Sequence, residues 1–141
     1  MSKNIELLQN LLASYAVFTQ NTRDFHWNIR GKNFFTLHEK LEELYNDLSE
    51  KADEVAELIL TLGEKPETRF SAYLEISQIK EAHGVSDDTL VAQSVVNSLQ
   101  ILMDSQQAIL DKADDEAVAG LMSDNVREQK KLQWMYKAYL G

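Results

Sequence analysis

The sequence contains no cysteine, one proline and five glycines among 141 residues. The absence of cysteine excludes disulfides, thiolate metal ligands and a cysteine nucleophile. Because proline and glycine interrupt helices, their scarcity indicates long, continuous helices. There is no run of about 18 apolar residues, the minimum for a membrane-spanning helix. The first residues, MSKNIELLQN, lack the apolar core of a secretory signal, so we expect a cytoplasmic protein with no membrane partner.

Positive charge is also scarce: 14 Lys and Arg stand against 23 Asp and Glu, which makes the formal net charge −9. Nucleic-acid binding depends on Lys and Arg side chains that neutralise phosphates, so the charge argues against it. An acidic surface is compatible with cations, although it commonly serves only solubility. With 44% hydrophobic and 26% charged residues, we expect one globular domain over residues 1–141.

Apolar residues at helical spacing predict an all-α fold with four long helices. Their predicted bounds are about 3–28, Asn33 or Thr36 to Leu62, Ser86 or Asp87 to about Lys112, and about Glu116 to Tyr139. The short turn at Gly31 predicts an antiparallel hairpin of the first two helices. The connection 64–88 is too long for such a hairpin and must cross the bundle, with a short helix within 71–80. Two hairpins joined by one long crossover form the ferritin-like four-helix bundle.

The predicted core consists of one apolar stripe on each long helix. Two tryptophans, Trp27 and Trp134, are expected in the core by default, and His83 in the crossover is expected to be solvated. Trp27 adjoins His26, so it is alternatively a candidate radical trap that intercepts an oxidising equivalent. The last three stripes comprise Leu37, Leu41, Leu44, Leu48, Val55, Ile59 and Leu62; Leu90, Val91, Ser94, Val95, Leu99, Leu102 and Ile109; and Leu121, Met122, Val126, Leu132, Met135 and Tyr136.

A second face of the second helix carries two pairs of metal-ligating residue types. His38 and Glu42 are i,i+4 neighbours, as are Asp53 and Glu57, so each pair can share one ion. The hairpin also places His26, at the end of the first helix, near His38. Taken singly, each residue is an ordinary surface or core side chain, but their convergence on one face favours a metal site.

The two pairs are too far apart to bind one ion within one chain. The eleven residues from Glu42 to Asp53 span about 16 Å along the helix, whereas a ligand lies about 2 Å from its ion. If the helix packs antiparallel on its copy across a two-fold axis, the midpoint falls between residues 47 and 48 and the pairs of the two chains meet. Such packing creates two equivalent sites between subunits. The small side chains of Asn46, Ser49 and Ala56 permit this close approach.

Other signatures of chemistry are missing from the sequence. A conventional di-iron bundle has Glu-x-x-His on two helices, and this motif does not occur. Nucleophile elbows, glycine-rich phosphate loops and the His-Glu-x-x-His zinc motif are also absent. These absences leave the site between subunits as the metal-binding hypothesis.

The run HWNIRGKNFFTLHEKLEELYNDLSEKADEVAE resembles the signature of the Dps family, mini-ferritins that oxidise and store iron. His-Trp is followed by Gly after five residues, by Phe-x-x-Leu-His, and by Asp-x-x-x-Glu fifteen residues beyond the second His. The segments LGEKP and QWMYKAYLG are also similar. The resemblance implies that His26, His38 and Glu42 of one subunit join Asp53 and Glu57 of its two-fold mate as metal ligands and catalytic residues. The family commonly has Asp where this chain has Glu42.

The resemblance further implies a homo-oligomer of twelve subunits that oxidises Fe(II), with hydrogen peroxide as oxidant, and stores the mineral inside. Each site would hold two irons, or one iron and a water, and zinc or another divalent metal can substitute. Acidic pores are implied at three-fold axes, with Asp111, Asp115 and Glu116 as candidates and Gly120 where relatives often carry an acid. Many relatives bind DNA through a Lys-rich tail, but only Lys3 precedes the first predicted helix, so DNA binding is expected to be weak. The alternative function is a non-catalytic helical bundle that compacts DNA or binds another protein.

Overall fold

The computed structural model describes residues 3–141, except the side chain of Lys3. The regular structure in this range is helical throughout: α1 (Lys3–Asn28), α2 (Phe34–Thr61), α3 (Phe70–Ile76), α4 (Asp88–Lys112) and α5 (Glu116–Leu140). The all-α prediction, the four long helices and the short helix in the crossover are therefore confirmed. One detail is wrong, since Lys3 begins α1 instead of preceding it; its side chain lies outside the described residues.

Side-chain caps explain where α4 and α5 begin. The carboxylate of Asp87 accepts a hydrogen bond from the Leu90 amide at 3.0 Å, and Asp115 accepts from the amides of Ala117 and Val118. Each carboxylate satisfies amides that have no partner within the helix. Beyond α2, Gly63 has a φ of +89°, a conformation that favours glycine and ends the helix.

The start of α2 differs from the prediction. Asn33 does occupy the position before the helix, but its side chain makes no capping hydrogen bond. Instead its Nδ2 donates to Asp88 Oδ2 at 2.8 Å, which joins the start of α2 to the start of α4. The prediction that Asn33 or Thr36 caps the helix is correct for the position of Asn33 and wrong for its side chain.

The helices pack as two hairpins, α1 with α2 and α4 with α5, and α1 also packs against α4. The predicted stripe of α2 is buried apart from Leu62, which is half-buried. Between the hairpins lies a buried polar network, in which Tyr15 on α1 donates to Gln106 at 2.9 Å and accepts from Gln129 at 2.7 Å. Burial raises the pKa of the Tyr15 phenol well above its usual range, so it stays neutral.

Polar side chains of α1 hold the crossover against the bundle. Gln9 donates to the Lys65 carbonyl at 2.8 Å, and Asn21 donates to the Lys80 carbonyl at 2.8 Å. The Gln78 amide donates to the Ser14 hydroxyl at 2.9 Å between these points. Because the crossover has few backbone hydrogen bonds of its own, these contacts determine its course. The described helices include none long and apolar enough to cross a membrane.

Four predicted core residues are exposed instead. Trp27 and Trp134 are each 64% exposed, Leu90 is 59% exposed and Met135 is 46% exposed. Each residue turns a helix by about 100°, so Trp27 points away from the core although its neighbour His26 is buried. Leu90 and Trp134 lie nearly opposite the buried stripes of α4 and α5 for the same reason. The default assignment of the tryptophans to the core is therefore wrong.

Candidate metal centre

The two histidines of the predicted site are in direct contact between α1 and α2. The rings of His26 and His38 stack with centroids 3.7 Å apart and planes 10° from parallel. His26 Nδ1 lies 2.6 Å from the backbone carbonyl of His38, and His38 Nδ1 lies 2.7 Å from the carbonyl of His26. The predicted proximity of His26 and His38 is therefore confirmed, and the reciprocal hydrogen bonds add a link that was not predicted.

These hydrogen bonds determine which ring nitrogen can bind a metal. A carbonyl oxygen only accepts, so each Nδ1 must carry the proton and donate it. In the neutral ring, Nε2 is then left with a free lone pair. A second hydrogen bond of this kind orients a metal-ligating histidine and raises its basicity. His26 and His38 therefore present two Nε2 donors in fixed orientations.

Glu42 supplies a third donor beside the histidines. Its Oε1 lies 3.8 Å from His26 Nε2. With Nε2 unprotonated, two electron-pair donors face each other, an arrangement that a cation between them stabilises. The separation suits one divalent ion about 2.0–2.2 Å from each donor. The side chain of Glu42 is 56% exposed, so this group opens toward solvent.

Aromatic and charged neighbours of the histidines were not predicted from the sequence. Phe34 stacks on His38 with centroids 4.8 Å apart, and Tyr45 meets His26 edge to face at 5.4 Å. Arg23 places its guanidinium 4.9 Å from the centre of the Tyr45 ring. Both aromatic residues share the His38 face of α2, since they lie four residues before it and seven after it. This spacing is the feature of the sequence from which their position beside the histidines could have been predicted.

Asp53 and Glu57 are exposed residues on a more distant part of α2. Within residues 3–141, the structure brings together no group of three His, Cys, Asp or Glu residues able to hold a metal ion. One chain therefore contributes two imidazoles and one nearby carboxylate, with two further carboxylates elsewhere on the same helix. This donor set, nitrogen mixed with oxygen, suits iron or zinc better than calcium or magnesium.

The remaining predicted site residues lie at the surface. Asp111, Asp115 and Glu116 are exposed around the turn between α4 and α5, and His83 is exposed in the crossover, as expected. Asp111 accepts from Gln107 at 3.0 Å, while Asp115 is committed to capping α5. These carboxylates are thus available to cations at the surface, and Asp115 has a structural role as well.

Comparisons with known proteins agree with this fold. The Ferritin-like domain model matches residues 5–141. The crystal structure of a Dps protein from Vibrio cholerae O1, described as a member of a superfamily of ferritin-like diiron-carboxylate proteins, has a TM-score of 0.96 and 48% identity, and covers 99% of this chain and 89% of that one. The DNA protection during starvation protein of Porphyromonas gingivalis is 47% identical over 94% of this chain and 85% of its own length.

A third relative is a protein that was soaked with metal. The Dps protein of Listeria innocua, soaked with zinc, has a TM-score of 0.94 and 33% identity, over 99% of this chain and 97% of that one. The helix order, the crossover and the matched domain place this chain among the ferritin-like proteins. Within that class, the chain belongs to the Dps family.

Proposed function

We propose that this protein is a ferroxidase that oxidises Fe(II) to Fe(III) at sites shared between subunits and stores the iron as a mineral. The observation that carries the proposal is the reciprocal pairing of His26 and His38 through Nδ1, which leaves the Nε2 atom of each ring free, with that of His26 facing Glu42. Membership of a family with diiron-carboxylate relatives supports iron as the substrate.

In the proposed site, His26, His38 and Glu42 bind iron together with Asp53 and Glu57 of a second subunit. Imidazole nitrogen and carboxylate oxygen both bind Fe(II), and the carboxylates stabilise the additional positive charge of Fe(III). Hydrogen peroxide is the proposed oxidant. Two Fe(II) ions supply one electron each, and with two protons they reduce one peroxide to two waters. Because both electrons arrive together, no hydroxyl radical is released.

A mixed assembly tests whether the site is shared. His38→Ala and Asp53→Ala proteins should each oxidise Fe(II) slowly, because each lacks one half of every site. When the two variants are co-assembled, a fraction of the sites combines the intact half of one chain with the intact half of the other. These sites should regain fast oxidation. Oxidation is followed by absorbance after addition of Fe(II) and peroxide. Absence of any recovery in assemblies verified to contain both variants contradicts a shared site.

We further propose that twelve subunits form the storage shell. The competing function is a bundle that compacts DNA or binds another protein without turnover; the name of the Porphyromonas gingivalis relative, DNA protection during starvation protein, supports a role with DNA. The two functions separate in one experiment: a ferroxidase speeds the oxidation of Fe(II) by peroxide and suppresses the hydroxyl radical that a spin trap detects, whereas a DNA-compacting protein leaves the uncatalysed rate and the radical signal unchanged. Size-exclusion chromatography with light scattering measures the number of subunits.

Trp27 is the proposed radical trap of the site. Its indole is exposed and directly follows His26 in the chain, so it is a nearby electron donor when only one electron reaches the peroxide and a one-electron oxidant remains. A Trp27→Phe protein should oxidise Fe(II) at the wild-type rate but lose the indole radical detected by electron paramagnetic resonance after peroxide addition. An unchanged radical signal contradicts this role.

A further inference from the structure

The side chain of Glu42 needs a restraint that the histidines do not provide. It is 56% exposed, and glutamate is among the side chains that lose most rotamer freedom when they are fixed. The two imidazoles are held by the carbonyl hydrogen bonds described above, whereas Glu42 is free to move into solvent. A group that restrains its carboxylate therefore increases the affinity of the site for a cation.

Tyr45 is placed to provide this restraint. It lies one turn after Glu42 on α2, and its hydroxyl is 3.5 Å from Glu42 Oε1, the same oxygen that faces His26 Nε2 at 3.8 Å. This hydrogen bond is long, but contacts in metal-free or ligand-free sites are often long and shorten when the ligand binds. The phenol donates to this carboxylate oxygen and so fixes the direction of the carboxylate.

The ring of Tyr45 is itself fixed by two residues of α1. His26 contacts it edge to face, with the planes at 78°, and the Arg23 guanidinium lies over its face at 4.9 Å. An aromatic ring held in this way has a defined direction for its hydroxyl. Tyr45 therefore connects the fixed histidine to the mobile carboxylate.

We propose that Tyr45 is a positioning residue that holds the Glu42 carboxylate toward the ion bound at His26. This inference rests on the proposed function, because it assigns a role at the same site. It predicts that the Tyr45 hydroxyl acts through Glu42 and through no other group. Tyr45→Phe is the appropriate variant, since it removes the hydroxyl and keeps the ring between Arg23 and His26.

The test measures Zn²⁺ affinity of the assembled protein by calorimetry, with competition by a chelator, so that turnover plays no part. Loss of an outer-shell partner commonly weakens metal binding about 10–100-fold, and because this hydrogen bond is long we expect a loss of about three- to tenfold for Tyr45→Phe. In a Glu42→Ala background the same change should alter the affinity by less than about twofold, because the effects of two residues that act as a unit are not additive.

The matched control is Tyr139→Phe. It removes a hydroxyl that donates to another carboxylate, Asp88, at 2.9 Å, and it should leave Zn²⁺ affinity unchanged.

The possible results separate the inference from the proposed function. Zn²⁺ binding that is lost in His38→Ala and unaffected by Tyr45→Phe leaves the metal site standing and overturns the role of Tyr45. An equal loss in the wild-type and Glu42→Ala backgrounds also overturns it, since the hydroxyl would then act elsewhere. Wild-type protein that binds no Zn²⁺ through His38 overturns both. Circular dichroism and hydrodynamic size of each variant establish that the fold and assembly are retained.

Discussion

Lys51 is a buried lysine on α2 that joins two helices through charge. Its Nζ lies 2.8 Å from Asp47 Oδ1, four residues earlier, and 3.2 Å from Glu128 Oε1 on α5. Burial alone lowers the pKa of Lys51, but the two carboxylates outweigh it and raise the pKa above its ordinary value. The contact with Glu128 spans the gap between α2 and α5, which otherwise touch little.

Lys51→Met should therefore destabilise the protein by about 1.5–3 kcal/mol, the range for hydrogen bonds to charged groups. The loss stays moderate because Asp47 and Glu128 are partly exposed and regain water. A raised lysine pKa stabilises the fold fully below pH 10.5, and this contribution disappears as pH rises through the folded-state pKa. Urea unfolding at one protein concentration should accordingly show the two proteins converging at strongly alkaline pH.

Lys40→Met is the matched control for this prediction. Lys40 pairs with Glu43 on the same helix at 3.4 Å, and both side chains are 59% exposed. Exposed pairs of this kind contribute about 0–1 kcal/mol, so the variant should unfold close to the wild type. Equal losses of unfolding free energy in the two variants would mean that neither the burial of Lys51 nor its contact with α5 contributes to stability.

At the scale of a single element, Glu67 organises the segment that leads into α3. Its carboxylate accepts from the amides of Thr68 and Arg69 and pairs with the Arg69 guanidinium at 2.6 Å. The Arg69 hydrogen bond, followed by those from the two amides, lowers the pKa of Glu67 to about 2. The Gln9 side chain holds the Glu67 amide at 2.9 Å, which attaches this segment to α1.

Glu67→Gln should loosen the start of α3 at neutral pH without unfolding the bundle. Since the folded-state pKa is depressed, the stabilising contacts are complete above the ordinary pKa of 4.5 and are lost as pH falls through about 2. Amide hydrogen exchange, expressed as protection relative to the unfolded chain, should therefore be lower for Thr68 and Arg69 in the variant at pH 7, with the difference shrinking below pH 4. Identical protection of the Thr68 and Arg69 amides in the two proteins at pH 7 would contradict the role assigned to Glu67.

The helices themselves were largely predictable, because their limits depend on local chemistry. Asp87 and Asp115 are preferred capping residues and Gly63 adopts a positive φ, so the residue types alone indicate these boundaries. The hairpin of α1 and α2 also followed from the length of one turn, and with it the proximity of His26 to His38.

Contacts between helices were less accessible from the sequence. Helical periodicity indicates which face a residue occupies, but it contains no information on the rotation of one helix against another. The ring stacking of His26 on His38 and the placement of Arg23 over Tyr45 depend on that rotation. Trp27 is exposed although large apolar side chains are commonly buried, because its angle on α1 directs it away from the core.

At the scale of the whole molecule, net charge determines how strongly the protein binds DNA. Each chain carries −9, so twelve chains carry −108 formal charges. The electrostatic attraction that supplies most non-specific DNA affinity is then replaced by repulsion. In a gel-shift assay at about 0.15 M salt without divalent metal, plasmid should migrate unchanged. Tight binding under those conditions, with purified protein, would contradict this prediction and favour the DNA-compacting alternative.

The final prediction concerns the acidic turn between α4 and α5 as the entrance for iron. Three chains around one axis would bring nine carboxylates together, three each from Asp111, Asp115 and Glu116, and such a ring concentrates cations at its mouth. The competing role is structural, since Asp115 caps α5 through the Ala117 amide at 2.8 Å. Charge and capping can be separated, because asparagine caps a helix about as well as aspartate does.

The triple variant Asp111→Asn, Asp115→Asn and Glu116→Gln should therefore keep its melting temperature, while its iron uptake slows several-fold. The loss should diminish as ionic strength rises, because salt screens the attraction of the wild-type ring. Asp104→Asn is a matched control: Asp104 is another exposed α4 aspartate that accepts from a glutamine four residues earlier, at 2.9 Å against 3.0 Å for Asp111. Asp115→Ala, which removes the cap, should instead cost about 1 kcal/mol of stability. If uptake by the neutral variant equals that of the wild type and of the Asp104 control, the turn is only a cap, and iron enters elsewhere.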